Sequence, residues 1–568
     1  MKKGFSSVVI ALTAVTLLFQ GCASLGSMEK HMAELNFQVE PSPLEVHGDS
    51  VKVTITGKFP EKYFAKSVTA QATPAIVWNG GEASFKVQEF KGEKATGNGD
   101  VIPFKEGKSF KYTATVPYSA GMESSKLELR IKGAKGSKTA SFPAVEIAKG
   151  VITTPYLMKS DDKVITSKDI FADSTMKTFQ AVINFDLDSY VLKPSELKDA
   201  DIANLEAFLK SISTNPKMFV RQIELSGYAS PEGEISLNKG LGYERTKVGA
   251  KALNTILKSA KLDLLYGKSI KEKPKGEDWE GFKAELLKSD IKDKDLIIRI
   301  IEKTADSTKR ELEIRNLSAT YDEIKDLILP GLRRCQIIVH YTEKGYTATE
   351  LTALAKSNPS VLNYEELLRA ASLIDDATMK ANLYKEAEAK ANGDYRASNN
   401  LGVVYYGMNK TTEAAKQFEK AYSMNKNAET SNNLGVVTRL KGDRKAALKL
   451  FNEGNSNESK YNKGLVLIAN GDYAGAVSNM KDAKTFNTAL AKMLNGDNTG
   501  AKSDLDASGD KSALADYLRA IICARSNDDA GQASNLSSAI AKDGSLGEKS
   551  KTDLEFMKKP ILQRPVAG

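Results

Sequence analysis

Residues 401–421, LGVVYYGMNKTTEAAKQFEKA, contain the spacing that decides the fold of the C-terminal third of this chain. Residues 434–451, LGVVTRLKGDRKAALKLF, repeat the Leu-Gly step, the alanine and the phenylalanine 33 residues later. A small residue at a fixed distance before an alanine and an aromatic is typical of stacked helical hairpins. Weaker copies follow at Gly464, Ala489 and Ala520. The pattern therefore predicts an all-α solenoid of five or six hairpins over residues 364–541.

This spacing resembles the tetratricopeptide repeat, and an earlier hairpin around residues 367–389 is expected to cap the array. Paired asparagines, Asn399-Asn400 and Asn432-Asn433, stand directly before the Leu-Gly steps. The resemblance implies that they line the groove that binds extended peptides, where asparagine amides hold a peptide backbone. Asparagine as a replacement for the larger residue usual at these helix starts is an equally open interpretation. The repeats predict a protein partner.

The middle of the chain alternates strand and helix patterns. Residues 220–226 alternate apolar and polar side chains, as a strand does, and residues 245–257 have helical spacing. Residues 227–245, GYASPEGEISLNKGLGYER, connect the two patterns. A closing strand follows Arg333-Arg334, and residues 266–330 between them have the apolar periodicity of amphipathic helices. We expect an α/β domain over residues 153–345 with a helical insertion at about 266–330.

The connecting segment resembles the ligand-binding loop of OmpA-like peptidoglycan-binding domains, in a version found in Bacteroidota. Five residues fall in register with the family pattern G-H-T-D-x-x-G-x-x-x-x-N-x-x-L-S-x-x-R-A: Gly227, Gly233, Asn238, Leu241 and Arg245. The aspartate of that pattern is Ser230 here. The resemblance implies a peptidoglycan stem peptide as ligand.

By the same resemblance, Arg245 takes the carboxylate of diaminopimelate, and the residue at position 230 meets its ammonium group. Ser230 offers only a neutral hydrogen bond, which costs on the order of 1 to 3 kcal/mol, or about 5- to 150-fold in affinity. Glu232 is a candidate replacement for the missing carboxylate. Asn238 is expected to hold the loop's backbone more than the ligand. An alternative stays open in which Arg245 bonds within its own helix and Glu232 is a solvated turn residue.

The N-terminal part of the chain has the pattern of antiparallel strands. Residues 51–55, 110–116 and 127–131 alternate apolar and polar side chains, and Gly-rich turn signals at 79–81 and 97–99 separate such runs. The simplest architecture with this pattern is an immunoglobulin-like sandwich over residues 37–152. It contains no catalytic constellation, so we interpret it as a spacer or docking module.

The first 21 residues carry two lysines and then a short apolar run, which is typical of an export signal. A glycine directly before Cys22 resembles a bacterial lipobox, which implies acyl chains on Cys22 and an anchor in the outer membrane. Residues 22–36 are expected to be a tether. They lack the acidic cluster that, by resemblance, marks surface-exported lipoproteins of Bacteroidota, so we expect the protein to face the periplasm.

The composition excludes several classes of function. The net charge of +9 arises from 81 basic and 72 acidic residues, a balance too even for nucleic-acid binding. The three histidines have no metal-ligand spacing, and Cys335 and Cys523 are expected to be buried and unpaired. No nucleophile–base pair is apparent. The sequence therefore predicts neither an enzyme nor a cofactor.

Together these patterns predict a non-enzymatic outer-membrane lipoprotein that links the membrane to peptidoglycan and scaffolds a protein partner through its repeats. The alternative is a subunit of an outer-membrane secretion or assembly complex whose OmpA-like domain docks protein instead of peptidoglycan. Residues 346–363 are expected to be a linker and residues 542–568 a tail.

Overall fold

The computed structural model describes residues 25–32, 35–265 and 268–557. The chain divides into two compact units. Unit 1 combines the described residues up to 167 with those from 391 onward, and unit 2 consists of the described residues between 168 and 390. Within the described ranges, no helix has both the length and the apolar character that a bilayer span requires. Cys22 and the predicted export signal lie outside the described residues.

Unit 1 begins with a β-rich region that contains two sheets. In chain order its elements are α1 (Leu25–Lys30), β1 (Phe37–Glu40), β2 (Leu44–His47), β3 (Ser50–Phe59), β4 (Thr69–Trp78), β5 (Gly81–Ser84), β6 (Gln88–Gly92), β7 (Asp100–Ile102), β8 (Lys108–Pro117), β9 (Ser125–Lys135), β10 (Lys138–Ser141), β11 (Val145–Lys149) and β12 (Val151–Ile152). One sheet has the order β1-β3-β2-β12, with β8 along β3. The other has the order β10-β9-β4-β6-β7, with β11 on β9 and β5 on β4.

The alternating runs of the sequence form strands of this region, as predicted. Val51, Val53 and Ile55 of β3 are buried, whereas the residues between them are exposed or half-buried. Leu127 of β9 is buried in the same hydrophobic cluster as these β3 residues, so the inner faces of the two sheets share a core. The immunoglobulin-like topology stays a prediction, while the β-rich region itself is confirmed.

The predicted tether is partly structured. Residues 25–30 form helix α1, and Met28 and Met32 are buried in the core of the β-rich region. The Tyr63 hydroxyl donates a hydrogen bond of 2.9 Å to the carbonyl oxygen of Met28. The composition of this segment gave no apolar period, but two methionine side chains are enough to anchor it, because thioethers fit irregular gaps in a core.

Unit 2 is built around one four-stranded sheet. Its elements are β13 (Ser174–Asn184), α2 (Ala200–Thr214), β14 (Met218–Gly227), α3 (Ile235–Ser259), β15 (Ile270–Glu272), α4 (Trp279–Lys288), α5 (Lys294–Lys303), α6 (Ser307–Arg315), α7 (Ser318–Leu327), α8 (Leu329–Leu332), β16 (Arg334–Lys344), α9 (Ala348–Ser357), α10 (Tyr364–Ser372) and α11 (Ala377–Ala389). The strand order is β13-β16-β14-β15, with β16 antiparallel to both neighbours. Helices α2 and α3 pack on this sheet through Leu205, Leu209, Leu253 and Leu257.

The helical insertion has a core of its own and also adds a strand. Apolar residues of α4 to α8 form one buried cluster that includes Phe282, Ile297 and Ile324. Strand β15 pairs in parallel with β14, which the helical periodicity of residues 266–330 did not predict. Residues 346–363 also differ from the predicted linker. They contain α9, whose capping box at Thr347 and buried Leu351 define a short packed helix.

The remainder of unit 1 is a stack of helical hairpins. The helices are α12 (Arg396–Gly407), α13 (Thr411–Met424), α14 (Ala428–Leu440), α15 (Arg444–Gly454), α16 (Asn457–Ala469), α17 (Tyr473–Asn479), α18 (Phe486–Leu494), α19 (Asn498–Ala507), α20 (Ala513–Arg525), α21 (Asp529–Lys542), α22 (Ser545–Thr552) and α23 (Leu554–Met557). A Cβ on Gly402 would lie 2.5 Å from the Phe418 ring, and one on Gly435 would lie 2.6 Å from the Phe451 ring. The repeated glycine therefore lets the two helices of each hairpin approach closely.

Three predicted boundaries differ from the structure. The solenoid and its capping hairpin were predicted to begin at residue 364, but residues 364–390, which contain α10 and α11, belong to unit 2. The predicted tail begins at residue 542, but residues 545–552 and 554–557 are helical, and Leu554 and Phe556 are buried. Glu555 forms an ion pair with Arg525 and accepts a hydrogen bond of 2.7 Å from Thr154 Oγ1, so this end of the chain packs against the β-rich part of unit 1. The α/β domain was predicted to begin at residue 153, whereas residues 153–167 belong to unit 1.

Candidate ligand-binding sites

The first candidate site is the loop at residues 227–245, which joins β14 to α3. Gly227 ends β14 at a point where α3 comes close. A Cβ on Gly227 would lie 2.1 Å from the carbonyl oxygen of Gly242. The N–H of Gly227 donates a hydrogen bond of 2.9 Å to Thr246 Oγ1. Glycine at both positions therefore sets the distance between strand and helix, which fixes the loop above them.

Ser230 and Glu232 lie together in this loop, next to Arg333. The Ser230 hydroxyl donates to Glu232 Oε1 at 2.7 Å. Arg333 donates to the same oxygen through Nε at 3.1 Å and Nη2 at 2.7 Å. The side chains of Arg333 and Glu232 are only 11% and 10% exposed. Glu232 is therefore an ion-pair partner inside the protein and not the solvated turn residue of the open alternative.

Arg245 is buried and bonded to main-chain carbonyls. Its Nε donates to the oxygen of Ser189 at 2.9 Å, Nη1 to that of Tyr228 at 2.9 Å, and Nη2 to that of Asp186 at 3.0 Å. The residue is 1% exposed. Burial, and then the positive charge of Arg333, lower the pKa of Arg245 to about 10. Its guanidinium thus joins α3 to the loop and to the segment that follows β13, instead of bonding within its own helix.

The helical insertion covers the other side of the loop. Asn238 Nδ2 donates to the carbonyl oxygen of Glu232 at 3.0 Å and to Glu277 Oε1 of the insertion at 3.2 Å. The Gly233 N–H donates to Glu311 Oε1 at 2.9 Å. Pro231 lies against Trp279 and other apolar residues of the insertion. Asn238 therefore holds the backbone of the loop, as expected, and the insertion supplies contacts that the sequence did not predict.

The predicted ligand-binding residues of unit 2 are thus gathered in one place but are bonded to the protein itself. Ser230 is 4% exposed and Asn238 is 2% exposed. Their role toward peptidoglycan stays a prediction. Arg333 is the residue that sequence reasoning undervalued. Its position directly before the closing strand was the sequence feature that could have placed it near Glu232.

The second candidate site is the face of the repeats that carries the asparagines. Residues 159–167, KSDDKVITS, run along it as an extended segment that we call the strap. Four asparagines, which we call the ladder, come from the first helices of four successive hairpins, α12, α14, α16 and α18. They are Asn400, Asn433, Asn462 and Asn487, and each is at most 2% exposed.

Each ladder asparagine binds one strap residue through both halves of its amide. Its Oδ1 accepts from the main-chain N–H of the strap residue, and its Nδ2 donates to the carbonyl oxygen of the same residue. The four pairs are Asn487 with Lys159, Asn462 with Lys163, Asn433 with Ile165 and Asn400 with Ser167, at N···O distances of 2.7 to 2.9 Å. The bound residues are an even number of positions apart, as the period-two geometry of an extended chain requires.

The neighbouring asparagines complete this network. Asn399 Nδ2 donates to the carbonyl oxygen of Ile165 at 3.0 Å, and Asn432 Nδ2 donates to that of Lys163 at 2.7 Å. The ladder is also bonded to these neighbours, because Asn433 Nδ2 donates to Asn399 Oδ1 at 2.9 Å. Paired asparagines therefore satisfy one another and the strap together, which explains why they recur at the same point of consecutive repeats.

Side chains of the strap fix its register on the ladder. The Asp162 side chain is fully buried and binds Arg439, whose Nε lies 2.6 Å from Asp162 Oδ1 and whose Nη2 bonds Asp162 Oδ2. Tyr461 donates to Asp161 Oδ1 at 2.8 Å. Val164 packs against two apolar clusters of the repeats. The sequence offered a peptide site at Asn399-Asn400 and Asn432-Asn433 as one of two open interpretations. It indicated neither Asn462 and Asn487 nor the strap, which lies more than 230 residues from Asn400.

Two kinds of group bear on catalysis among the described residues, metal-binding clusters and cysteine thiols. Among the described residues, no cluster of histidine, cysteine and carboxylate side chains is placed to hold a metal ion. Cys335 and Cys523 are free and buried, as predicted. Burial raises the pKa of the Cys335 thiol to about 12, so this group stays protonated at neutral pH.

Comparisons with known proteins agree with the helical repeats. The family model of the tetratricopeptide repeat matches residues 396–429, which cover α12 and α13. No catalytic family is indicated. No curated protein matches the chain. The C-terminal third of the chain is therefore a tetratricopeptide-repeat solenoid, a class of fold that generally binds protein partners.

Several solved structures are similar to part of the chain. A tetratricopeptide repeat protein from Parabacteroides merdae is 16% identical, with a TM-score of 0.29, over 36% of this chain and 90% of its own. PilF of Pseudomonas aeruginosa is 17% identical, with a TM-score of 0.29, over 36% of this chain and 98% of its own. Yeast Tom70 is 10% identical, with a TM-score of 0.25, over 66% of this chain and 92% of its own.

Proposed function

We propose that this protein is a non-enzymatic outer-membrane lipoprotein that scaffolds a protein partner through its repeats, with acyl chains on Cys22 as its anchor and the periplasm as its compartment. The observation that carries the scaffolding role is the solenoid itself, a stack of hairpins whose first repeat matches the tetratricopeptide family model. Solenoids present extended surfaces that bind other proteins.

The membrane anchor rests on the lipobox-like position of Cys22. Metabolic labelling with an alkyne palmitate tests it. Wild-type protein should carry the label and fractionate with the outer membrane, whereas Cys22→Ser should lose both properties. If the wild-type protein stays unlabelled, the proposed acylation of Cys22 is wrong.

For unit 2 we favour docking to protein in an outer-membrane secretion or assembly complex over binding to peptidoglycan. The supporting observation is the closed state of the loop, in which Glu232 is paired with Arg333 and the three nitrogens of Arg245 donate to carbonyl oxygens. A diaminopimelate side chain would have to replace these bonds before it met a free charged group. Replacing a buried ion pair is costly, because each partner left alone is an uncompensated charge.

Peptidoglycan binding is the second candidate, and one observation favours it. Arg245 is a buried cation whose hydrogen-bond acceptors are neutral carbonyl oxygens, and burial lowers its pKa to about 10. A ligand carboxylate beside it would supply the missing negative charge.

Sedimentation with purified sacculi separates the two candidates. We expect the wild type to stay in the supernatant. Arg333→Gln, which opens the pair with Glu232, and Arg299→Gln, a matched control on an exposed face of α5, should do the same. Saturable sedimentation of the wild type that Arg333→Gln removes and Arg299→Gln preserves would establish peptidoglycan binding and overturn the preferred version.

A further inference from the structure

We propose that the ladder face is a peptide-binding site that the chain occupies with its own strap, and that an extended segment of a partner protein takes this site when the strap is released. The inference deepens the proposed scaffolding function and rests on it, since it says where and how the repeats would hold a partner. Its starting observation is that all four ladder asparagines make paired main-chain bonds to the strap.

The ladder recognises a backbone conformation and not a particular sequence. An asparagine amide has one acceptor and donors at fixed spacing, which match the carbonyl oxygen and N–H of a residue in an extended chain. Any residue except proline supplies both groups. The spacing of the asparagines, and not the side chains of Lys159, Lys163, Ile165 and Ser167, therefore determines which main-chain groups bind.

Sequence selection comes from the positions between the clamped residues. Position 162 requires an aspartate, because its carboxylate is fully buried against the guanidinium of Arg439. Arg439 Nη2 also binds the Ser160 hydroxyl at 2.7 Å. Position 164 requires a compact apolar side chain, since Val164 lies between two apolar clusters. The partner segment that fits is an extended peptide with an aspartate followed two residues later by a valine-like residue.

The strap has an advantage that a free peptide lacks. Both of its ends continue into the chain, so its effective concentration at the ladder is on the order of millimolar or higher. A partner peptide with micromolar intrinsic affinity would therefore be excluded while the strap is bound. Release of the strap converts the same face into an open site, and the strap thereby controls access to it.

A fluorescent nine-residue peptide with the strap sequence tests this, with fluorescence anisotropy as the readout on the full chain. The double variant Lys163→Pro/Ile165→Pro lacks two N–H donors that bind Asn462 and Asn433 but leaves the ladder unchanged. The matched control Lys163→Ala/Ile165→Ala keeps both donors. We expect the proline variant to bind the peptide, and the wild type and the alanine control to bind it at least tenfold more weakly.

A second peptide tests the selection at position 162. A version with alanine in place of that aspartate should bind the proline variant about tenfold more weakly, because it lacks the charge-assisted bonds to Arg439. Equal binding of the two peptides would overturn the proposed selection.

Two results would overturn the strap as the occupant that excludes partners. One is a proline variant with native helical circular dichroism that does not bind the peptide, and the other is a wild type that binds it as tightly as the proline variant. If the proline variant does not fold, Asp162→Asn in the full chain takes its place, and it should bind the peptide more tightly than the wild type. No gain in that variant would equally overturn the proposal.

Failure of the strap proposal can be distinguished from failure of the proposed scaffolding function. A partner that co-purifies with the full chain from detergent-solubilised envelopes, together with failure of the peptide assay, would leave the scaffold and remove the strap site. Peptide binding by the proline variant, with neither the wild type nor that variant holding a partner, would leave the site and remove the scaffold.

Discussion

The ladder of unit 1 and the loop of unit 2 are both candidate ligand sites, and both are bonded to the chain itself, yet by different chemistry. The ladder uses neutral amides that bind the backbone of a segment far away in the sequence. The loop uses charged groups that bind each other and nearby carbonyl oxygens, as Glu232 does with Arg333. The ladder can exchange one extended segment for another at little electrostatic cost if the incoming segment brings an aspartate for Arg439, whereas the closed charged loop has to break its own ion pair first.

The largest effect is expected where the strap itself uses a buried charge. Arg439→Ala would leave Asp162 buried without its partner, and removing one member of a buried ion pair costs about 3 to 5 kcal/mol. Arg444→Ala is the control, because Arg444 pairs with Asp49 at the surface and such pairs contribute at most about 1 kcal/mol. Urea unfolding followed by helical circular dichroism measures both. Equal losses would show that Arg439 is not a special contact of the strap.

A loss of about 2 to 4 kcal/mol is expected for Asn433→Ala. The substitution would leave the N–H of Ile165 and the Oδ1 of the buried Asn399 without their partner, and each such group costs about 1 to 3 kcal/mol. Asn425→Ala, at the exposed C-terminal end of α13, is the matched control and should change stability by less than about 0.5 kcal/mol. The same unfolding assay compares them. If the Asn433→Ala protein is as stable as the control, the ladder asparagines do not stabilise the protein by binding the strap.

In the loop, Glu232→Gln is expected to cost about 1.5 to 3 kcal/mol, the usual contribution of hydrogen bonds to a charged group. The glutamine carbonyl still accepts from Arg333, so the effect is smaller than that of a deleted partner. Glu234→Gln, at an exposed position two residues away, is the control. Thermal unfolding of both variants measures the difference. If the two variants unfold at the same temperature, the loop is not closed by the Glu232–Arg333 pair.

The smallest effect concerns the strap's first residue and depends on pH. Lys159 pairs with Asp510 at 2.5 Å. Although burial opposes the shift, the hydrogen bonds from Lys159 and Ser512 lower the pKa of Asp510 to about 2. The contribution of this carboxylate to stability is therefore full above its unfolded pKa of about 3.9, and it is lost as the pH falls through about 2.

Asp510→Asn tests this dependence. This partly exposed pair should contribute at most about 1 kcal/mol at pH 6, so the variant should be slightly less stable than the wild type there. The difference should shrink as the pH approaches 2. A difference that is constant from pH 6 to pH 2 would contradict the assignment.

Local patterns predicted most of the fold. The Leu-Gly step and the aromatic that follows it specify the hairpins, because Gly402 faces Phe418 within one repeat. Alternation predicted strands such as β3 and β9. The register of the loop motif also predicted that Ser230, Glu232 and Arg245 belong to one site, because they lie close in sequence and therefore close in space.

The features that the sequence did not reveal depend on distant contacts. The strap has only nine residues and no apolar period, so its sequence has the pattern of a linker. Only its contacts with Asn400 and Asn433 in the fold show its role. The insertion's cover of the loop depends on Glu311, which is 78 positions from Gly233. Helix α9 is short and set by its capping box, which hydrophobic periodicity does not detect.

Residue-resolved hydrogen exchange on the full wild-type chain tests most directly whether the strap occupies the ladder. We expect slow exchange, at the rate of the repeat helices, for the four strap amides that donate to ladder asparagines, which are those of Lys159, Lys163, Ile165 and Ser167. The amides of Val164 and Thr166, which lie between the clamped residues, should exchange faster. Exchange of all these amides at the rate of an unstructured peptide would contradict the account.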